Sequence, residues 1–337
     1  PPGIMGAAQR SNQPEKGGPD TERELWAALS KKPFETLMAE ENLSEDFVLR
    51  LLDYSSYFDM LSLELPTNKA GILESLENDK MIVRSEAGRY NITNMGAILF
   101  ARRISDFPSL ERKAIRVIKY SGNSRTNSAS KEQIGGKGYA NGFEGLIGYI
   151  NGLLPENEIM GKALRKTVPM YPELAVRELV ANAIIHQNFF VRGTSPMIEI
   201  FDNRMEITNP GTPLIEKERF VDHPPISRNE VLASFMRRVG VCEERGSGYD
   251  KVVAQTELFQ LPAPDIEIYN NHTKVVLYAH QTYAKMSKND RQRACYLHAC
   301  LKRVNREPMT NATLRERFAI PVKNSSMISR LLGETCE

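Results

Sequence analysis

The sequence predicts an α+β protein, and three observations carry that prediction. The stretch 171–190, YPELAVRELVANAIIHQNFF, is a largely apolar helix pattern with polar residues along one edge. Directly after it, MIEIFDNRMEIT (197–208) alternates around Asp202-Asn203, the pattern of a hairpin with a two-residue turn. Further on, the Gly-rich ERGSGYDKVV (244–253) opens another helix, and HTKVVLYA (272–279) closes the region as a Thr-led strand.

The chain has 337 residues, 41% of them apolar, which is room for two or three domains with real cores. A net charge of +2 singles out no class of partner. Cys242, Cys295, Cys300 and Cys336 show no CxxC spacing. They read as free thiols of a reducing compartment, against a disulfide frame or a zinc site. No run of 18 apolar residues occurs, so no membrane partner is expected. The first twenty residues lack an apolar signal core and read as a disordered lead over 1–20. The expected compartment is cytoplasmic.

Residues 21–109 are expected to form a helical, winged-helix-like domain. TERELWAALSKKPFETLMA (21–39) and SEDFVLRLLDYSSYFDMLSL (44–63) read as helices, with Ser44 as an N-cap. Trp26, Phe34, Leu37, Phe47, Leu51, Leu52, Tyr57 and Phe58 supply a small core. Pro66-Thr67-Asn68 breaks the chain before the helix AGILESLEND, and KMIVRSEAGRYNIT (80–93) is strand, Gly turn and strand. A helix followed by such a hairpin is the end of a winged helix. AGILESLEND carries acids where phosphate contacts want Lys or Arg, so packing or a dimer surface is favoured over a DNA-contacting wing.

NMGAILFA (94–101) is an apolar helix and ERKAIRVIKYSG (111–122) a strand. NSRTNSASKEQIGGKGYANG (123–142) reads as a polar loop. Its GGKG does not meet G-x-x-x-x-G-K-[ST], so a flexible turn is favoured over a reach of Lys137 to phosphate. Residues 143–167 read as a helix, a Pro break and a basic extended run.

In the helix that follows, Pro172 suits the first helical position and Glu173 the first turn. Glu178, Asn182 and His186 stand at i, i+4 and i+8, within an arc of about 80° beside the apolar face. Spacing alone fits equally a ligand site and a polar edge ended by a capping His. Between the two Gly turns, Ser227 and Glu230 read as a capping box, and Pro224-Pro225 keeps the preceding strip extended.

From Lys285 to Leu332 the chain holds eleven Lys or Arg against three acids. A long helix (289–305) precedes MTNATLRERFAI and NSSMISRLLGE, which read as helix-turn-helix in a basic domain at 285–337. On that reading Arg315, Arg317, Lys323 and Arg330 meet phosphates while Asn324, Ser325 and Ser326 reach base edges of DNA. The alternative is a solvated basic face. No wing follows, so the module reads as truncated.

The order of the central region, Glu178-x-x-x-Asn182, hairpin, NPG (209–211), variable segment, GSG (246–248) and Thr273-led strand, resembles a known ATP-binding fold. It is that of the gyrase-type topoisomerases, Hsp90 chaperones, sensor histidine kinases and MutL, the GHKL superfamily. The resemblance is closer to one branch, ATP-binding transcriptional regulators described as RecG-like helicase C-terminal regions. That branch shows RELVANAIIHQ, ITNPGTPL, SRNE and EERGSGYDKVV much as they stand here. YNITNMGAILFA and GKGYANGFE extend the similarity over most of 22–332.

The resemblance implies a GHKL-type (Bergerat) α/β sandwich at 110–282 between the two flanking domains. It implies ATP with Mg²⁺ held by Asn182, and Glu178 as general base. Gly246, Ser247 and Gly248 would bring backbone N–H groups to phosphate. Gly211 would pass under the adenine, Thr273 would support it, and His186 would line the same site. Arg228 is either a phosphate contact from the lid or a surface Arg near a helix start. Asn209 stands where the family usually has an Asp that accepts the adenine amino proton. Its amide accepts the same bond without the charge.

Three functions follow from this. They are a nucleotide-gated DNA-binding regulator that is a candidate homodimer, an ATP hydrolase coupled to nucleic-acid transactions, and a degenerate GHKL dimerisation scaffold. The chain has no P-loop to drive a helicase motor and no phosphoacceptor helix pair of a histidine kinase. The Schlafen (AlbA-2) domain that accompanies this branch is not recognisable in the sequence.

Overall fold

The computed structural model describes residues 32–160, 165–242 and 248–336. Contacts divide the chain into residues 1–33 and a unit spanning Phe34–Glu337, and the description below concerns that second unit. The expected lead at 1–20, Trp26 and the start of the helix at 21 lie outside the described residues.

The unit begins with a short 3-10 turn, Phe34–Thr36, and strand β1 (Met38–Leu43). Helices α1 (Glu45–Leu51), α2 (Tyr54–Met60) and α3 (Lys69–Asn78) follow, then strands β2 (Ile82–Arg84) and β3 (Tyr90–Thr93). The three strands form one sheet in the order β1-β3-β2. Residues 38–39, expected to end a helix, are therefore strand, because β3 offers pairing partners from Met38↔Thr93 to Leu43↔Tyr90. The helix expected over 44–63 is also two helices. It breaks at Asp53, whose carboxylate accepts the Ser56 N–H as N-cap of α2 while its own N–H donates to Phe100 O. Ser44 is the N-cap of α1, though its hydroxyl makes no capping bond. Phe47 is 46% exposed beneath the Arg50 guanidinium and outside the core in which it was expected.

Helix α4 (Asn94–Phe100) is buried along its whole length. Then come β4 (Arg116–Tyr120), β5 (Ala129–Ile134), α5 (Tyr139–Asn151), the hairpin β6 (Glu156–Met160) with β7 (Arg165–Pro169), and α6 (Glu173–Ile185). They are followed by β8 (Met197–Ile200), β9 (Arg204–Pro210), α7 (Glu230–Arg238), α8 (Gly248–Leu258), β10 (Asp265–Tyr269) and β11 (His272–Tyr278). Six strands make one mixed sheet in the order β10-β11-β9-β8-β4-β5, in which only β4 and β8 pair parallel. The expected hairpin forms at Asp202-Asn203, with the Phe201 N–H donating to Arg204 O at 2.9 Å. Residues 129–134 are a correction. Expected as loop, they form the edge strand β5, and since all six are exposed they show no alternation for a sequence pattern to detect.

Register sets Val117, Ile198, Ile207, Val275 and Ile266 in one row across this sheet. That row faces α6, because Ile207 and Val275 meet Leu179 and Ala183 of α6 around one cavity. Glu199 and Glu206 fall on the opposite face, where Arg125 donates to both. Burial pushes the Glu206 carboxyl up, but Arg204, Lys274 and Arg125 together hold it below the ordinary carboxylate value.

The chain ends in α9 (Lys288–Val304), α10 (Asn311–Arg317) and α11 (Ser325–Cys336). Capping boxes start α9, through Ser287 and Asp290, and α10, through Thr310 and Thr313. These helices rest on the sheet layer. His298 of α9 meets Glu257 of α8 at 3.0 Å, and Arg293 meets Asp265 at 3.2 Å.

Candidate functional site

Helix α6 buries Ala175, Val176, Leu179, Val180, Ala183 and Ile184. Pro172 is its N-cap, one position earlier than expected, and the His186 N–H closes the last turn on Asn182 O at 2.9 Å. The burial of those apolar residues turns the Glu178–Asn182–His186 edge towards a cavity of about 210 Å³, which all three line. Ile207, Asn209, Thr273 and Val275 form the sheet side of this cavity. Residues 212–228 and α7, through Ala233 and Arg237, form the opposite wall.

At one end lies Gly248, the first residue of α8. A Cβ there would sit 2.6 Å from Glu178 Oε2 and 3.7 Å from Asn182 Nδ2. A Cβ there would crowd Glu178, while its distance to Asn182 would be an ordinary contact, so the close approach to Glu178 favours glycine. Glu178 is buried at 5% exposure, and Asn182 is half-buried. Gly246 and Ser247 lie outside the described residues.

At the other end are Asn209, Gly211 and Thr273. Thr273 pairs with Asn209 across β11 and β9, and its hydroxyl donates to Gly211 O at 2.7 Å. Gly211 has φ +105°, and a Cβ on it would stand 3.0 Å from the Asn188 Cβ. Asn209 Nδ2 donates to Pro210 O at 3.2 Å, which leaves Oδ1 as the acceptor available to a ligand.

Arg228 belongs to the cleft. Its Nη2 donates to Thr212 O at 2.7 Å, while Nε is buried without a partner. The capping box expected from Ser227 and Glu230 does not form. Asn229 is the N-cap of α7, and its Nδ2 donates instead to Ile185 O at 2.7 Å and Gln187 O at 2.9 Å. Those carbonyls end α6 and need donors, and this need ties the cleft's far wall to its near one.

His186 shows ring surface to the cavity yet has protein on most sides. That enclosure, with the Arg228 charge added, pushes its imidazole down to about 4, so it is neutral near pH 7. Burial and the Glu178 charge push the Cys242 thiol up to about 11, which makes it a poor nucleophile. Asp250, in the first turn of α8, is raised to about 6 by burial.

Arg237 also lines the cleft, and no motif in the sequence marks it. The available signal was its place four residues after Ala233, on the same face of α7. Lys137 does not approach the cleft. It lines a separate hollow between β5 and α5, with Gly135, Gly138 and Phe143.

In the tail, Lys323, Ser326 and Arg330 are exposed, while Arg315, Asn324 and Ser325 are half-buried. Arg315 Nε donates to Asn311 Oδ1, and Asn311 Nδ2 to Ser325 O. Arg317 is a correction. Only 4% exposed, it donates to Leu261 O at 2.6 Å and lies 3.6 Å from Glu257, so its guanidinium cannot reach a phosphate.

Residues 193–277 match the family model described as "Putative ATP-dependent DNA helicase recG C-terminal". The matched span is an ATPase-type region that holds Asn209, Gly211, Arg228, Gly248 and Thr273 and begins after α6. Among solved structures, the chain is similar to the crystal structure of the DIP2311 protein from Corynebacterium diphtheriae. The TM-score is 0.58 at 18% identity, over 92% of this chain and 61% of that one. The likeness is one of fold, and this chain spans about three fifths of that protein's length. No curated protein matches the chain. Among the described residues no helix is long and apolar enough to cross a membrane.

Proposed function

We propose that this protein is a nucleotide-gated DNA-binding regulator, with a GHKL-type site for Mg²⁺ and ATP in the cleft and a DNA contact on the tail. One observation carries the nucleotide part: Gly248 packs on Glu178 and Asn182 in the same cavity that Asn209 and Thr273 line. Residues from four separated stretches line this one cavity. The fit is supported by the close approach of Gly248 to Glu178, which a Cβ would obstruct, and by the start of an eleven-residue helix, which favours an anion.

Asn182 would hold Mg²⁺ through its carboxamide oxygen, together with the ligand's own oxygens. Bound there, the ion neutralises phosphate charge. Asn209 Oδ1 accepts from an exocyclic amino group, and Gly211 keeps the backbone low beside it. Glu178 is placed to take a proton from water, which keeps an ATP hydrolase as the second reading.

The DNA part rests on α10 and α11 with exposed Lys323, Ser326 and Arg330 beside Arg315. The β1-β3-β2 sheet with α3 supports a winged-helix-like reading of the N-terminal part. Its α3 exposes Glu74 and engages Arg238 through Asp79, which favours packing over DNA contact there.

Thermal unfolding with ATP or ADP, with and without Mg²⁺, tests the reading. A ligand at a hundred times its Kd adds about 2.7 kcal/mol. Glu178→Gln should keep affinity within a few-fold and abolish any hydrolysis, while Asn182→Ala should weaken binding and its Mg²⁺ dependence together. A folded sample that shows no shift at millimolar nucleotide leaves only the scaffold function.

A further inference from the structure

Helix α7 projects two consecutive arginines in different directions. Arg238 forms a two-nitrogen pair with the Asp79 carboxylate at the end of α3, and its guanidinium lies over the Phe235 ring. Asp79 is held in turn by the Tyr57 hydroxyl at 2.6 Å. Leu232, Ala233, Phe235 and Met236 are buried, so both the rotation and the position of α7 are set. Held this way, the helix directs Arg237 into the cleft, one turn beyond Ala233, which lines the same cavity.

Arg237 makes no hydrogen bond or ion pair among the described residues, unlike its neighbour. It stands at the end of the cleft where Glu178, Cys242 and Gly248 meet. The Cys242 thiol feels both charges, raised by Glu178 and lowered by Arg237. Arg228, the other cation of the cavity, is committed to Thr212 O beside Gly211, at the end that holds Asn209 and Thr273.

We propose that Arg237 is the residue that reads the terminal phosphate, so that the cleft distinguishes a nucleoside triphosphate from a diphosphate. This rests on the nucleotide reading above and adds to it a role for α7. A guanidinium facing a cleft whose other end accepts a base is a fork for phosphate oxygens. Among the described residues no ion pair engages it. The pair Arg238–Asp79 acts as a positioning device, because it fixes the side of α7 from which Arg237 extends.

The test is calorimetric titration of the full chain with ATP, ADP and adenosine, each with Mg²⁺, for wild type, Arg237→Ala, Arg237→Lys and Arg228→Ala. Arg237→Ala should weaken ATP on the order of tenfold or more and leave ADP and adenosine within about threefold, as loss of one charge-assisted contact implies. Arg237→Lys should recover part of the ATP affinity. Arg228→Ala, at the base end, should weaken all three ligands alike. If Arg237→Ala leaves the ATP-to-ADP affinity ratio at the wild-type value, the assignment is overturned and the nucleotide reading stands. If wild type binds none of the three, both are overturned. Unchanged thermal unfolding of ligand-free Arg237→Ala guards against a folding defect, and if that variant is unstable the Arg237→Lys ratio decides.

Discussion

Replacement of Gly248 by Ala gives the sharpest check on the geometry of the cleft. The added Cβ would lie 2.6 Å from Glu178 Oε2 and 3.3 Å from its Cδ. Ordinary contact begins near 3.4 Å, so about 0.8 Å of overlap must be relieved. Glu178 is buried at 5% exposure, and α6 carries apolar neighbours on both sides of it, so neither can yield freely. Overpacking of this kind costs about 1–3 kcal/mol. Ala at a helix position recovers less than ~1 kcal/mol, because the first residue gains less than an interior one. The net expectation is a loss of about 1–2 kcal/mol. Gly145, in the interior of α5, is the matched control: a Cβ there meets nothing within 4 Å, and Ala should stabilise by roughly 0.5–1 kcal/mol. At about 2 °C per kcal/mol for a unit of this size, the two variants should shift the unfolding temperature in opposite directions. Gly248→Ala should also lose most of its Mg²⁺–ATP affinity, while Gly145→Ala retains it. If Gly248→Ala matches Gly145→Ala in stability and binding, the start of α8 does not lie against Glu178, and the cleft argument fails.

Four further outcomes are expected. Arg317→Ala and Arg317→Met should each cost about 3–5 kcal/mol in denaturant unfolding, because both strip the guanidinium from the largely buried Glu257; a near-neutral Arg317→Met would show that Arg317 serves only to fill space. His186 has a folded value near 4 against the ordinary 6.5, so the unfolded chain binds more protons between those values, and stability rises with pH through that window. Asp250, raised from 3.8 to about 6, acts in the opposite sense and favours the fold as pH falls from 6 towards 3.8. Asp250→Asn should therefore gain stability above pH 6 and lose it more steeply in acid, and an unchanged pH profile would remove that assignment. For DNA, Lys323→Ala and Arg330→Ala should each lower the salt slope of duplex binding by about 0.9, and deletion of 285–337 without effect on binding would exclude the tail as the contact.

Much of the centre was readable because its signals are local. The alternation around Asp202-Asn203 pairs as expected, since a two-residue turn fixes the register of its own strands. The i, i+4, i+8 edge of α6 also emerged on one cavity, since helical geometry alone sets which side chains share a side. By contrast, β1 and β5 were hidden. Their residues have strand character only through partners, Thr93 to Tyr90 for β1 and Arg116 to Tyr120 for β5, that are distant in the chain. Charge misled for the same reason. Arg315 and Arg317 are alike in sequence, but α10 leaves one half-buried against Asn311 and turns the other onto Glu257 and Leu261.

The sequence by itself determined which segments can be helix or hairpin and which polar residues share a helical edge. These depend on dihedral preference and periodicity within a few residues. Only the tertiary structure decided that Gly248 closes on Glu178, that Arg228 and Arg237 enter one cavity from opposite ends, and that Arg317 is buried. Each of these depends on how separate elements pack, and packing is settled by the fit of whole buried surfaces, which no short stretch of chain contains.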